Sequence, residues 1–285
     1  MPHGFLGAHL STSKGLHQAV RDGYAMECGA VQVFTSSPRM WKGGPADAKK
    51  AEALRCAHGE CGEPVLVSHD TYLVNLAHPE DATRDKSIAC LTEELQRSGA
   101  YGIGFVVSHI ASALGQEADL ARERAVEGIR RVLSEAPDGV TLLMETTAGQ
   151  GSAMNRSFDE LAQFLNDLDG DKRVGICLDT CHIFAAGYDI RTPETYAATF
   201  DEFGTKVGFD RLKVIHCNDS QKGLGTKVDR HANLGKGMIG LEAFRSLVND
   251  PRLANTPIIL ETPVEEEGHA KDLGILRELT IADNG

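Results

Sequence analysis

The chain has 285 residues, 41% hydrophobic and 25% charged, an ordinary globular composition. No apolar run reaches the roughly 18 residues of a membrane span. The net charge of −12 taken alone argues against a nucleic-acid partner, but residues 206–240 carry seven cations against three anions. The seven cysteines are odd in number and lack framework spacing. The N-terminus shows neither the basic region nor the apolar core of a signal peptide, so a reduced, cytoplasmic location is expected.

Eight short apolar runs rich in β-branched residues recur at 5–9, 31–35, 65–69, 105–109, 141–145, 174–179, 212–216 and 258–261. Their ends lie 26 to 45 residues apart, the length of one βα unit with its loops. The intervening stretches read as helical. Residues 79–97 place Ile88, Leu91 and Leu95 at helical spacing. Ser157-Phe158-Asp159-Glu160 reads as a capping box ahead of Leu161, Leu165 and Leu168, and Thr192-Pro193 as an N-cap followed by proline. Residues 281–285 are expected to fray. No Ser/Gly/Pro linker divides the chain, so residues 1–285 are expected to form a single domain. Near-continuous apolar strands indicate a parallel sheet covered on its faces, and eight βα units point to a closed (β/α)8 TIM barrel. The alternative is a doubly wound open sheet. It would usually carry a G-x-G-x-x-G loop after the first strand, and Leu10-Ser11-Thr12-Ser13-Lys14-Gly15 does not match.

Six of the runs end in His69, His109, Glu145, Asp179, His216 and Glu261. Barrel active sites lie at this C-terminal face, so these groups should converge. A lone histidine there is more often structural, but converging carboxylates would repel and cost several kcal/mol each to bury, a conflict that metal ions resolve. His182, three residues after Asp179, and the pair Asp229 and His231 in a glycine-containing loop bring the total to nine. Nine mixed nitrogen and oxygen donors suffice for two or three divalent ions, with zinc favoured and manganese an alternative at one site. Paired metals are the usual machinery for in-line displacement at phosphorus. Cys177 and Cys181 flank Asp179, and Cys217 follows His216. These cysteines read as small core residues, Cys177 pointing into the barrel and Cys217 toward the helices.

The segments Gly7-Ala8-His9, His69-Asp70-Thr71-Tyr72-Leu73-Val74-Asn75-Leu76, Glu145-Thr146-Thr147-Ala148-Gly149-Gln150-Gly151, Leu178-Asp179-Thr180-Cys181-His182, His216-Cys217-Asn218-Asp219-Ser220 and Val228-Asp229-Arg230-His231 together resemble the endonuclease IV family of apurinic/apyrimidinic (AP) endonucleases in DNA base-excision repair. The resemblance spans essentially the whole chain. It implies a TIM barrel with three zinc ions: one on His69, His109 and Glu145; a second on Glu145 as a bridge, Asp179, His216 and Glu261; a third on His182, Asp229 and His231. It also implies hydrolysis of the phosphodiester 5′ to an abasic nucleotide in duplex DNA by a metal-bridged hydroxide, leaving a 3′-hydroxyl and a 5′-deoxyribose phosphate, together with trimming of blocked 3′ ends. Glu261 and Glu145 would serve catalysis, Glu261 by orienting the nucleophile. Arg39, Tyr72 and Leu73 match the family's groove-inserting residues. Read from charge alone, basic residues of the 206–236 run are candidates to meet backbone phosphates, with a solvated loop as the alternative. A monomer is expected.

Three positions depart from the family pattern: Ile110-Ala111 stands where Pro-Gly is usual, Thr146 where Asn is usual, and Lys14 where Gly is usual. The rival readings are a sugar isomerase or epimerase on the same barrel, which has no need of the Asp229, His231 and His182 set, and a non-catalytic metal-dependent DNA-binding module.

Overall fold

The computed structural model describes residues 4–264 and 269–280. The expected fraying of 281–285 lies outside them. Eight parallel strands close into a barrel in the order β1 (Leu6–His9), β10 (Ile258–Leu260), β7 (Leu212–His216), β6 (Val174–Asp179), β5 (Thr141–Glu145), β4 (Phe105–Ser108), β3 (Val65–His69) and β2 (Ala30–Val33). Two short antiparallel strands, β8 (Asp219–Ser220) and β9 (His231–Ala232), form a hairpin in the loop after β7. The chain is a (β/α)8 TIM barrel. Among the described residues no helix is long and apolar enough to cross a membrane.

Four of the eight strands have the expected bounds, and β1 starts one residue late. The other three end one or two residues early, so His109 and Glu261 lie immediately beyond β4 and β10, and β2 stops at Val33. Thr35, expected at the end of that strand, instead turns outward, where its hydroxyl donates to Glu94 and accepts from Arg97 of α3 (Asp81–Ala100). Glu94 and Arg97 form a buried ion pair.

Local chemistry sets the helix starts. Thr192 accepts from Thr195 N, and the Thr195 hydroxyl answers to Thr192 N, so α7 (Pro193–Lys206) carries a complete capping box. α5 (Phe158–Asp167) departs from expectation. Ser157 accepts from Glu160 N at 3.2 Å, but the Glu160 carboxylate takes the N–H of Arg156 rather than that of Ser157, because it also pairs with the Arg156 guanidinium.

The barrel interior is built from alternation. Ala30, Val67, Val107, Leu143, Cys177, Val214 and Ile259, one from each strand except β1, pack on one another and are each 0% exposed. β1 contributes Gly7, in register with Ala30 and Ile259; a Cβ there would lie 1.9 Å from the Ala30 carbonyl oxygen, so no larger residue fits. Cys177 thus faces inward, while Leu178 and Cys217 join the outer core against the helices, as expected.

Candidate active site

Two residues beyond each of those interior positions the side chain again points inward, and there all eight are polar: His9, Gln32, His69, His109, Glu145, Asp179, His216 and Glu261. Six of these come from the expected strand ends, while His9 and Gln32 were not anticipated as site residues. Glu145 is 0% exposed and central. Its Oε2 lies 3.1 Å from both His69 Nε2 and His109 Nε2, and its Oε1 lies 2.9 Å from His216 Nδ1. His216 Nδ1 is also 3.2 Å from Glu261 Oε2 and 4.0 Å from Asp179 Oδ2. On the far side Asp229 spans two imidazoles, with Oδ2 3.2 Å from His182 Nε2 and Oδ1 3.4 Å from His231 Nε2.

The structure therefore gathers potential ligand atoms into His69–His109–Glu145, Glu145–Asp179–His216–Glu261 and His182–Asp229–His231, each within 4.8 Å. These are the groupings that the family resemblance implies. The hydrogen bonding suits metal binding. His69, His182 and His231 turn Nδ1 to the carbonyl oxygens of Asp70, Thr146 and Glu261, which can only accept, so Nε2 is left to face the site. Nε2 of His182 and of His231 is buried and makes no well-aligned hydrogen bond, facing only carboxylate oxygens, an arrangement a cation between them would satisfy.

Electrostatics point the same way. Burial opposes charge on His69, but Glu145 beside it raises its pKa to about 10. Burial also opposes ionisation of Glu145, and the imidazoles of His109 and His216 hold its carboxyl well below the usual range nonetheless. Glu261 is likewise held low against burial, chiefly by His216 and by its hydrogen bond with His9. Carboxylates that retain their charge this deep in the protein require compensating positive charge, which divalent ions can supply in place of protons.

The cysteines fit less well as ligands. The Cys177 thiol is within reach of Glu145 and His216, but burial raises its pKa well above that of a free thiol. Burial likewise pushes Cys181 up to about 12. Metals take the thiolate, so both fit the core role.

Helix capping and side-chain amides hold the site. Asp179 caps α6 (Thr180–Ala186), its Oδ1 accepting from His182 N at 2.8 Å, so the Asp-Thr-Cys-His segment fixes two site residues with one turn. Asn218 joins two strands by donating to Asp179 Oδ2 at 2.7 Å and accepting from Glu261 N at 2.9 Å. The buried Asp219 carboxylate accepts the N–H groups of Ser220, Gly235, Gly237 and Ile239, folding the loop that presents Asp229 and His231. Gly237 is needed there, because a Cβ would come within 2.4 Å of Asp219.

The departures from the family pattern also have structural accounts. Thr146 serves in place of an amide by accepting from Asp179 N at 2.9 Å. Ile110 is buried at φ +52°, and Ala111 N donates back to the His109 carbonyl at 2.6 Å, a strained tight turn directly after His109. Asn75 braces it, accepting from Ser112 N and donating to the Ser112 carbonyl. Lys14 is exposed on the loop after β1.

Beside this mouth, Tyr72 is 64% exposed while its ring lies 5.7 Å from those of Phe34 and His69. Leu73 is half-buried, and Arg39 is exposed, with no ion pair to its guanidinium among the described residues. The two loops are tied together: the Pro38 carbonyl accepts from the Thr71 hydroxyl at 2.7 Å and from Tyr72 N at 3.3 Å. The basic run divides. Arg211 and Lys213 lie at the start of β7, at the opposite end of the barrel, where Arg211 donates to the Gly170 and Asp171 carbonyls, and Lys206, at the end of α7, is engaged by Asp159 and Glu202. Lys222, Lys227, Arg230 and Lys236, in the long loop between β7 and α8 (Leu241–Val248), are the exposed cations at the mouth end.

A closed parallel barrel with histidines and carboxylates gathered at its C-terminal mouth defines a class, the xylose isomerase-like TIM barrels, whose family profile matches residues 20–279. Within that class the resemblance narrows. The chain is 46% identical over 279 residues to the probable endonuclease 4 of Chloroflexus aurantiacus, covering 96% of this chain and 97% of the relative. It superposes on endonuclease IV from Thermus thermophilus with a TM-score of 0.86 at 35% identity, covering 96% and 98% of the two chains. The chain belongs to the endonuclease IV family. Its likeness to a 3-keto-D-glucoside 4-epimerase from E. coli, with a TM-score of 0.67 at 14% identity and 96% and 99% of the chains covered, is one of fold alone.

Proposed function

We propose that this nuclease incises duplex DNA at abasic sites, hydrolysing the phosphodiester on the 5′ side and leaving a 3′-hydroxyl and a 5′-deoxyribose phosphate. The observation that carries the reading is the convergence of nine His, Asp and Glu side chains into three groups, two of them sharing Glu145, beside a loop pair that exposes Arg39 and Tyr72. One zinc ion would be held by each group, with manganese an alternative at one of them. Bound there, the ions would supply Lewis acidity, activating water near neutral pH and offsetting charge at the phosphate.

The chain's own residues do the rest. Glu261 has Oε1 engaged by His9 and Gln32 and Oε2 turned to the centre of the mouth, a geometry for orienting the attacking water. Its retained negative charge favours that water's approach to phosphorus. The new bond joins the water oxygen to phosphorus, the bond from phosphorus to the 3′-oxygen breaks, and the water's proton ends on that oxygen. His182, Asp229 and His231 are the groups for the leaving oxygen. Arg39, Tyr72 and Leu73 fill the gap left when an unstacked abasic nucleotide swings into the mouth. Lys222, Lys227, Arg230 and Lys236 meet backbone phosphates, which reconciles an acidic chain with a polyanionic substrate. The same site admits a blocked 3′ end, so 3′ trimming belongs to the reading.

The test is incubation of the zinc-loaded protein with a 5′-labelled duplex carrying one tetrahydrofuran abasic analogue. The expected product ends immediately 5′ to the lesion in a hydroxyl that a polymerase extends, and elemental analysis gives about three ions per chain. No incision by metal-replete protein, or no more than one ion per chain, overturns the reading.

A further inference from the structure

Gln32 belongs to none of the three groups, yet it makes the shortest polar contact to one of them. Its Nε2 donates to Glu261 Oε1 at 2.6 Å, and its Oε1 accepts from His216 Nε2 at 2.8 Å. The side chain is completely buried, in a strand that otherwise reads Ala-Val-x-Val. The amide cannot turn over, because its carbonyl oxygen would then stand against the Glu261 carboxylate, acceptor facing acceptor. With the oxygen directed at His216, Nε2 of that ring must carry the hydrogen, and Nδ1 is the nitrogen left facing Glu145, Asp179 and Glu261.

His216 is thereby the reverse of His69, His182 and His231, which fix Nδ1 on main-chain carbonyls and present Nε2. In those three the tautomer is set by the fold itself. In His216 it is set by one substitutable side chain. The same amide, alongside His9 Nδ1 at 3.1 Å, occupies Glu261 Oε1 and so leaves Oε2 as the oxygen that meets His216 Nδ1 at 3.2 Å.

We propose that Gln32 is a positioning residue for the Glu145–Asp179–His216–Glu261 group, choosing both the imidazole nitrogen and the carboxylate oxygen that this group presents. The assignment rests on the reading that the group holds a metal ion. Outer partners of ligating residues typically matter about 10–100-fold in metal affinity.

The experiment compares zinc-loaded wild type with Gln32→Leu and Gln32→Glu, following zinc content against a graded chelator and the His216 ring nitrogens by 15N NMR. Gln32→Leu should release one of three zinc ions at about 10–100-fold lower chelator concentration, with the other two retained, and the His216 Nε2–H signal should be lost or averaged. Gln32→Glu keeps an acceptor for His216 but sets a carboxylate against Glu261. It should keep the Nε2–H signal while lowering the single-turnover cleavage rate more than it changes the DNA concentration at half-saturation. If Gln32→Leu does not fold, Gln32→Asn, too short to span both partners, should show the same selective zinc loss. Unchanged chelator resistance with an unchanged His216 signal overturns the assignment, as does equal loss of all three ions. Absence of zinc from the wild-type group would instead overturn the metal reading, so the two failures are distinguishable.

Discussion

Two positions along each strand separate the driest part of this barrel from its most polar. At the lower level stand Val67, Val107, Leu143, Cys177, Val214 and Ile259; at the upper stand His69, His109, Glu145, Asp179, His216 and Glu261. The backbone hydrogen-bond ladder is common to both, and the same alternation aims both inward. What differs is the source of the free energy. The lower side chains stabilise the fold by leaving water, whereas the upper ones, most of them fully buried, are held there at a cost that must be offset by charge pairing. Stability and chemistry are thus stacked on one scaffold, and substitutions at the two levels should fail differently.

The largest effect is expected at Glu145. Glu145→Ala removes the carboxylate shared by two groups, so zinc should fall from about three ions to about one. Single-turnover cleavage should drop by about ten-thousandfold, the upper end for one positioned group. Wild-type zinc content in this variant would separate Glu145 from metal binding. Leu143→Ala tests the lower level. It opens a cavity among fully buried neighbours and should lower unfolding free energy by about 2–5 kcal/mol in a denaturant titration. Cleavage per folded molecule and zinc content should stay near wild type, and selective loss of zinc would show that the two levels are not separable. Glu261→Gln keeps shape while removing charge. We expect about a hundredfold slower chemistry with abasic DNA still bound, and near wild-type turnover with metals retained would refute an orienting role. The smallest effect belongs to the rim. Arg39→Ala combined with Tyr72→Ala should spare zinc and weaken binding to abasic more than to intact duplex. Equal loss on both substrates would reduce these residues to general contacts.

Most of the upper level was legible in the sequence because six strands are compact runs ending in a chemically distinctive residue, whereas of the lower level only Cys177 could be placed, from its alternation with Asp179. His69, Glu145, Asp179 and His216 are the last residues of their strands, and His109 and Glu261 follow theirs directly. Gln32 was not legible. The partners that give it meaning lie 184 and 229 positions away, and the apolar run continuing through Phe34 and Thr35 drew the expected strand end past it. Asn218 and Asp219 escaped for the same reason: their bonds reach other strands and the far side of a loop. The division of the basic run between opposite ends of the barrel was equally hidden, since a charge tally along the chain does not register that β7 crosses the barrel in the middle of it.

The bond arrangement at Pro38 bears on how the two loops would meet a lesion under the proposed function. Its carbonyl holds both the Thr71 hydroxyl and the Tyr72 amide, so the loop carrying Arg39 and the loop carrying Tyr72 share a pivot. Proline's fixed φ removes one of the rotations by which that pivot could yield. Arg39 and Tyr72 should therefore travel as a single wedge, with the force of entering a duplex passed from one loop to the next instead of dissipating in two independent fluctuations.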